Sequence, residues 1–296
     1  MEEKEQLSAP IFIIGPPRSG TTWLKCMLAV NEDLFTVPET KFYQYVLMPS
    51  KKLSNKNLYP TKYTSNPKLI TLTQLEVSLH HLEKLRIINH DHHNIIKSLK
   101  KKAGSNELNR RDFFIKLINH IKETNLITGH RLIEGTPRHA IFHEDIISDF
   151  PDAKFIIMYR DTVDLAISAK DTYGFSFMEG LRDSFAVKSQ CDEFYDKFSD
   201  RVIATVNYDL LEKRTGKVVN EIFKIMGLDE VPEYKLLGES KKIYKELHKS
   251  YYINTHQPRM EGKKIEKIFP SYFKSVLLYF IYHIKNILRY LLRKII

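Results

Sequence analysis

The sequence predicts an α/β fold: a single domain with a central, mostly parallel sheet flanked by helices and a helical insertion at about residues 40–125. Three observations predict it. A short apolar, β-branched run, Pro10-Ile11-Phe12-Ile13-Ile14, stops at Gly15-Pro16-Pro17 and passes straight into a helical pattern. A second run, Lys154-Phe155-Ile156-Ile157-Met158-Tyr159, is bracketed by Pro151-Asp152 and Arg160-Asp161 and again precedes a helix. A third, Val202-Ile203-Ala204-Thr205-Val206, leads towards the helical stretch Gly216–Met226. Strands alternating with helices imply parallel pairing with both sheet faces covered.

Taken in order, the first helix runs from Thr22 to about Val30, with Trp23, Met27 and Val30 at helical spacing. Residues 40–125 carry few strand signals. Their periodic segments, Leu72–Ile88, Ile95–Leu99 and Asp112–Ile121, are parted by polar spacers such as Gly104-Ser105-Asn106, as a lid or a wall of an acceptor site would be. The α/β pattern resumes with a strand between Ile127 and Glu134, a helix from Pro137 to about Phe150, and, after the second run, a helix from Thr162 to about Lys170. From Ser271 to Ile296 apolar residues recur at helical spacing, with Lys285, Arg289 and Arg293 on the other side. These charges interrupt any span long enough to cross a membrane. Two readings of this amphipathic helix stand: peripheral contact with a membrane interface, or packing on the core or a second subunit.

Composition narrows the classes. Two cysteines in 296 residues, Cys26 and Cys191, exclude a disulfide framework and a four-cysteine zinc site, and suit a reducing compartment. The polar, acidic start, Met1-Glu2-Glu3-Lys4-Glu5-Gln6, lacks the basic and apolar regions of a signal peptide, so a cytoplasmic, optionally membrane-associated, protein is expected. The formal net charge of +10 attracts anions. It is concentrated at Lys97, Lys100, Lys101 and Lys102 and in the C-terminal tail. No helix-turn-helix, zinc-finger or RNP pattern accompanies it, so nucleic acid is not an expected partner.

The first loop reads Gly15-Pro16-Pro17-Arg18-Ser19-Gly20-Thr21-Thr22, a P-loop-like G-x4-G. A nucleotide hydrolase follows the second glycine with Lys and Ser/Thr, which serve the phosphates and Mg²⁺. Here Thr21 holds the lysine position and the cation sits inside the loop as Arg18. Backbone N–H groups and a helix N-terminus can still cradle one phosphate-like anion. Further on, Tyr159-Arg160-Asp161-Thr162 places a fixed, fork-shaped cation at a strand end, and Ser168, eight residues later, lies two turns into the next helix.

Pro17-Arg18-Ser19-Gly20-Thr21-Thr22-Trp23-Leu24 resembles the 5′-phosphosulfate loop of sulfotransferases that use 3′-phosphoadenosine 5′-phosphosulfate (PAPS). The segment from Tyr159 to Ser168 resembles the same family's 3′-phosphate site, and Asn207-Tyr208-Asp209-Leu210-Leu211 its tyrosine-acid-leucine stretch. The resemblance implies a PAPS site, with PAP as the desulfated product, formed by Arg18, Ser19, Gly20, Thr21, Thr22, Trp23, Arg160, Ser168 and Tyr208, and no metal. Trp23 and Tyr208 are each either adenine neighbours or core packing. The glutamate-base branch of the family places a glutamate about twenty residues after the loop arginine. Glu39, in Val37-Pro38-Glu39-Thr40, stands twenty-one residues after Arg18 and is the expected general base. Arg18 and the loop amides are expected to stabilise the phosphosulfate. One departure stands out. Glu134-Gly135-Thr136-Pro137 has glycine where relatives carry a lysine, leaving His130, Arg131, Arg138 and Lys25 as candidate substitutes. The histidines His80, His81, His90, His92 and His93 fit no standard zinc spacing and read as a solvated helix and loop. The expected acceptor is a small molecule, glycan or lipid bearing a hydroxyl or amine. A P-loop-type nucleotide kinase and a non-catalytic nucleotide- or membrane-binding relative are the rival functions, and an oligomer is compatible with either.

Overall fold

Five strands order themselves β2-β3-β1-β4-β5, every neighbour parallel. They are β1 (Ile11–Ile14), β2 (Leu34–Thr36), β3 (Arg131–Glu134), β4 (Lys154–Tyr159) and β5 (Val202–Asn207). The computed structural model describes Leu7, residues 9–47, 68–84, Ile87 and residues 93–248. These form a single α/β domain within the compact unit Met1–Pro258; the second unit, Arg259–Ile296, and with it the expected C-terminal helix at 271–296, lies outside the described residues, as do His90 and His92.

Side chains alternate across a strand, so β1 feeds two cores. Phe12 and Ile14 join Phe155 and Ile157 of β4 on one face, together with the helices α2 (Phe42–Leu47), α3 (Leu72–Lys84), α5 (Arg110–Thr124), α6 (His143–Asp149) and α8 (Phe177–Phe198). Ile11 and Ile13 join Ile156 and Met158 on the other face, beneath α1 (Thr21–Leu28), α10 (Thr215–Met226) and α11 (Glu233–His248). α4 (His93–Gly104), α7 (Thr162–Tyr173) and α9 (Tyr208–Lys213) complete the α-helices among the described residues, beside two 3-10 turns at Pro137–Phe142 and Ser199–Arg201.

Among the described residues the segment between β2 and β3 is built of the helices α2 to α5, and α2 and α5 pack into the first core. Arg110, the first residue of α5, is 2% exposed. Its Nε donates to Asp149 at 2.5 Å and its Nη1 to Asp145 at 2.7 Å, while Tyr43 Oη donates to Asp149 at 3.0 Å. These bonds clamp the insertion to α6. A buried charge is retained only when it is so paired. β2, α8 and α11 are elements the sequence patterns did not announce. No helix among the described residues is long and apolar enough to cross a membrane.

All five strands end on the same edge of the sheet. The segments that follow β1, β2, β3, β4 and β5 therefore carry Arg18, Glu39, Gly135, Arg160 and Tyr208 to one crevice, where ligands of parallel sheets bind.

Candidate active site

β1 leaves the sheet through a loop that two glycines make feasible. A Cβ on Gly15 would lie 2.5 Å from the Met158 carbonyl oxygen, so only glycine passes β4 this closely. Gly20, at φ 96°, is in the left-handed region, and a Cβ there would meet Tyr208 Cδ2 at 2.8 Å. Arg18 between them also has positive φ, 76°. The first bond of α1 is Leu24 N–H to Gly20 O, 3.0 Å, and no side chain caps the helix. The amides of Thr21, Thr22 and Trp23 thus lack intrahelical acceptors at the positive end of the helix dipole. Beside them Ser19 Oγ is buried without a hydrogen-bond partner. A buried orphan hydroxyl costs about 1–3 kcal/mol unless a ligand satisfies it.

Arg160 follows β4 directly. Its Nη1 donates to the Arg18 carbonyl at 3.1 Å, its guanidinium lies 4.1 Å over the Tyr208 ring, and its Nε is buried without a partner. Ser168 on α7 accepts from Arg18 Nε at 3.1 Å. The helix is oriented by Asp161, whose carboxylate accepts from the N–H groups of Val163 and Asp164. Tyr208 opens α9 under an Asn207 cap; its ring packs 5.8 Å from that of Trp23, and burial pushes its phenol up. Trp23 also packs against the second core, so this aromatic shelf serves core and crevice together. The structure therefore brings Arg18, Ser19, Gly20, Thr21, Thr22, Trp23, Arg160, Ser168 and Tyr208 into one surface, two arginines and a helix N-terminus against an aromatic shelf.

Glu39 faces this surface from β2. Thr22 Oγ1, in the first turn of α1, donates to Glu39 Oε1 at 2.6 Å. The Glu39 segment is pinned from behind by Glu134, which is fully buried. Glu134 Oε1 accepts from the Thr40 hydroxyl at 3.2 Å and the Thr136 hydroxyl at 2.5 Å, Oε2 from the Thr136 N–H at 2.8 Å, and His139 Nδ1 stands 2.9 Å from Oε2. Burial alone would raise this acid, but His139, Lys25 and Thr136 favour its ionised form and hold it down at about 2.

Of the four cations considered as substitutes at Gly135, two are elsewhere. His130 and Arg131 sit at the opposite edge, where β3 begins, and Arg131 Nε donates to the Ala9 carbonyl at 2.7 Å. Lys25 fills the glycine's space: a Cβ on Gly135 would lie 2.7 Å from Lys25 Cδ. Its ammonium is sealed in the interior, donating to the Val37 carbonyl at 2.7 Å. Arg138 reaches the crevice but is paired with Asp183 at 2.7 Å. The crevice holds two further groups without a sequence signal. Lys41, at φ 49°, has its ammonium pushed down by burial, opposed by Glu39 and reinforced by Arg138. Tyr173 leaves 45% of its surface exposed, yet local desolvation pushes its phenol up, with Arg18, Glu39 and Arg138 all within electrostatic reach.

The insertion histidines do not form a solvated group throughout. His81 is buried and stacks on Tyr45, ring centroids 4.3 Å apart, which corrects the solvated assignment for that residue. Among the described residues no three His, Cys, Asp or Glu side chains gather as a metal site.

A family profile described as "Sulfotransferase family" matches residues 10–233, about three-quarters of the chain. A sulfotransferase domain from the curacin biosynthetic pathway superimposes with a TM-score of 0.51 at 18% identity, over 79% of this chain and 78% of that one. The sulfotransferase domain of the Synechococcus PCC 7002 olefin synthase gives 0.50 at 20% identity, over 81% and 80%. At these identities the likeness shows the shared fold. No curated protein sequence matches the chain.

Proposed function

We propose that this chain, which belongs to the sulfotransferase family, moves a sulfuryl group from PAPS to a hydroxyl or amine acceptor. The observation that carries the donor is Ser19 Oγ, buried without a partner inside a loop where uncapped helix amides and Arg18 converge. The remaining residues fit the same nucleotide. Arg160, with an unpartnered Nε, and Ser168 suit a 3′-phosphate, and Trp23 and Tyr208 offer ring faces to adenine. Bound there, PAPS supplies a sulfur that accepts the acceptor's electron pair while its bond to the 5′-phosphate oxygen breaks, leaving PAP.

The chain's own part is positioning and charge. Glu39, held by Thr22 against the first turn of α1, takes the acceptor's proton. Arg18 and the α1 amides hold the oxygens on which charge grows. A nucleotide kinase is the less fitting alternative, since Thr21 occupies the position of the phosphate-binding lysine.

Thermal denaturation with PAP, and with ATP and Mg²⁺, tests the proposal. PAP at about a hundred times its Kd should stabilise the protein by about 2.7 kcal/mol, with a far smaller effect from ATP and Mg²⁺. Equal shifts would favour the kinase, and transfer of label from PAPS to an acceptor separates an enzyme from a binding-only relative.

A further inference from the structure

The interior beneath the crevice holds a lysine that packing alone does not explain. Lys25, midway along α1, is wholly buried, and its ammonium makes one hydrogen bond and no ion pair among the described residues. An ammonium sealed from water with no carboxylate against it opposes folding, and an apolar side chain of the same length would fill the space without that penalty. The stem is wedged where β3 ends: a Cβ on Gly135 would lie 2.7 Å from Lys25 Cδ.

The one bond falls on the carbonyl of Val37, at 2.7 Å, two residues before Glu39. That carbonyl is the only polar handle on its peptide, because Pro38 has no N–H. The Thr36 hydroxyl stands 3.5 Å from it but donates more closely, at 2.8 Å, to the Ile133 carbonyl. The Val37 side chain is packed in the first core, so what Lys25 adds is the orientation of the peptide that leads into Glu39. Thr22, three residues before Lys25 and on the same face of α1, donates to the Glu39 carboxylate at 2.6 Å. The far side of the segment is held from β3, where Glu134 accepts from the Thr40 N–H and hydroxyl, and Thr136 Oγ1 accepts from the Lys41 N–H. Glu39 therefore hangs between two fixed peptides, and one of them is fixed by the helix whose N-terminus forms the proposed donor cradle. A base works only when the backbone beneath it is held in the productive geometry.

We propose that Lys25 is a positioning residue for Glu39: its ammonium, by holding the Val37 carbonyl, sets the reach of the base from the donor helix. The role of Glu39 as base rests on the sulfotransfer reading, and two measurements keep the two apart. Lys25→Met retains the length of the stem and removes the bond. In the nucleotide-free protein, amide hydrogen exchange at Thr40, Lys41 and Phe42 should then quicken about tenfold or more, while the amides of β4 keep their rates. In transfer from labelled PAPS, kcat should fall about tenfold to a hundredfold, with PAP affinity unchanged to within about twofold. In a Glu39→Gln background the same substitution should lower kcat no further, because Lys25 acts through Glu39. If Lys25→Met does not fold, Lys25→Gln, whose amide stops one bond short of the ammonium position, carries the same measurements. Unchanged exchange at residues 40–42, a quickening spread evenly over the sheet, or an equal loss of kcat in both backgrounds would overturn the proposal. Should the native chain transfer no label, the sulfotransfer reading fails, and the exchange rates alone decide whether Lys25 holds the segment.

Discussion

Glu39→Gln separates chemistry from scaffolding, because the contact that holds Glu39 survives the change. Thr22 Oγ1 donates to Glu39 Oε1 at 2.6 Å, and the glutamine carbonyl oxygen accepts the same bond. What is lost there is charge assistance, the difference between about 1.5–3 kcal/mol for a bond to a charged group and about 0.5–1.5 kcal/mol for a neutral one. At a half-buried site that places the change in folding stability near 1 kcal/mol and leaves the donor surface, built by Arg18, Arg160 and the α1 amides, intact. The amide cannot take the acceptor's proton. A positioned base contributes about 10²–10⁴ in rate, or about 3–5 kcal/mol of barrier at 1.36 kcal/mol per decade. The assay is steady-state transfer from labelled PAPS, with PAP affinity measured alongside. The expected result is kcat lowered by that factor and the donor KM little changed. Retention of most of kcat would refute the assignment. A raised acceptor KM with kcat intact would show instead that Glu39 only orients the acceptor.

Two further outcomes are expected. Arg160→Ala removes both the bond to the Arg18 carbonyl and the cation over Tyr208, and should weaken PAP binding by about 2 kcal/mol or more, with a much smaller loss for adenosine 5′-phosphosulfate, which lacks the 3′-phosphate. Calorimetry with both nucleotides checks it, and equal losses would mean that Arg160 does not meet the 3′-phosphate. Glu134 is held at about 2 in the folded state against an ordinary 4.5, so its contribution, roughly 3 kcal/mol, is present above pH 4.5 and drains away as pH falls towards 2. Urea midpoints should therefore separate the native chain from Glu134→Gln most widely at neutral pH and converge in acid. A gap that stays constant with pH would show that the carboxylate charge does not stabilise the fold.

The loop and strand-end residues of the proposed donor surface could be picked out in the sequence because backbone and charge requirements restrict residue types locally. Gly15 and Gly20 have no substitutes where Met158 and Tyr208 press on the backbone, and an arginine at a strand end with a serine two turns on is a pattern one can see in a line of letters. Other parts leave no such trace. β2 is three residues long, too short for alternation to register. α8 does carry a local mark, the Ser176–Glu179 capping box, which frames a 22-residue helix that the strand-centred pattern passes over. Arg110 looks like one more charge on an amphipathic helix until the fold supplies Asp145 and Asp149, 35 and 39 residues away. Lys41 and Tyr173 are the clearest case. What distinguishes them is the company of Glu39, Arg138 and Arg18, which belong to other elements or, for Glu39, to a loop that Glu134 folds into place.

Gly135 shows how a departure from a family pattern can be a packing consequence rather than a loss. The Lys25 stem crosses the space that a side chain at 135 would need, with Cδ 2.7 Å from the place of a Cβ, so the two positions cannot both be large. Lys25 repays that space below the crevice: its ammonium bonds the Val37 carbonyl, two residues before Glu39, and lowers the acid of Glu134, which ties down Thr40 and Thr136. A lysine at 135 would have to displace this stem and unseat the segment that presents Glu39. Yet Lys25 does not replace a cation at the donor, because its charge is buried and already bonded. The face proposed for the donor is left with Arg18, Arg160 and the uncapped amides of α1, while Arg138 is tied to Asp183. The cations of this crevice are therefore unequal: the guanidinium groups of Arg18 and Arg160 stand with the helix amides on the face proposed for the nucleotide, while Lys25 and Arg138 are already bonded to other groups.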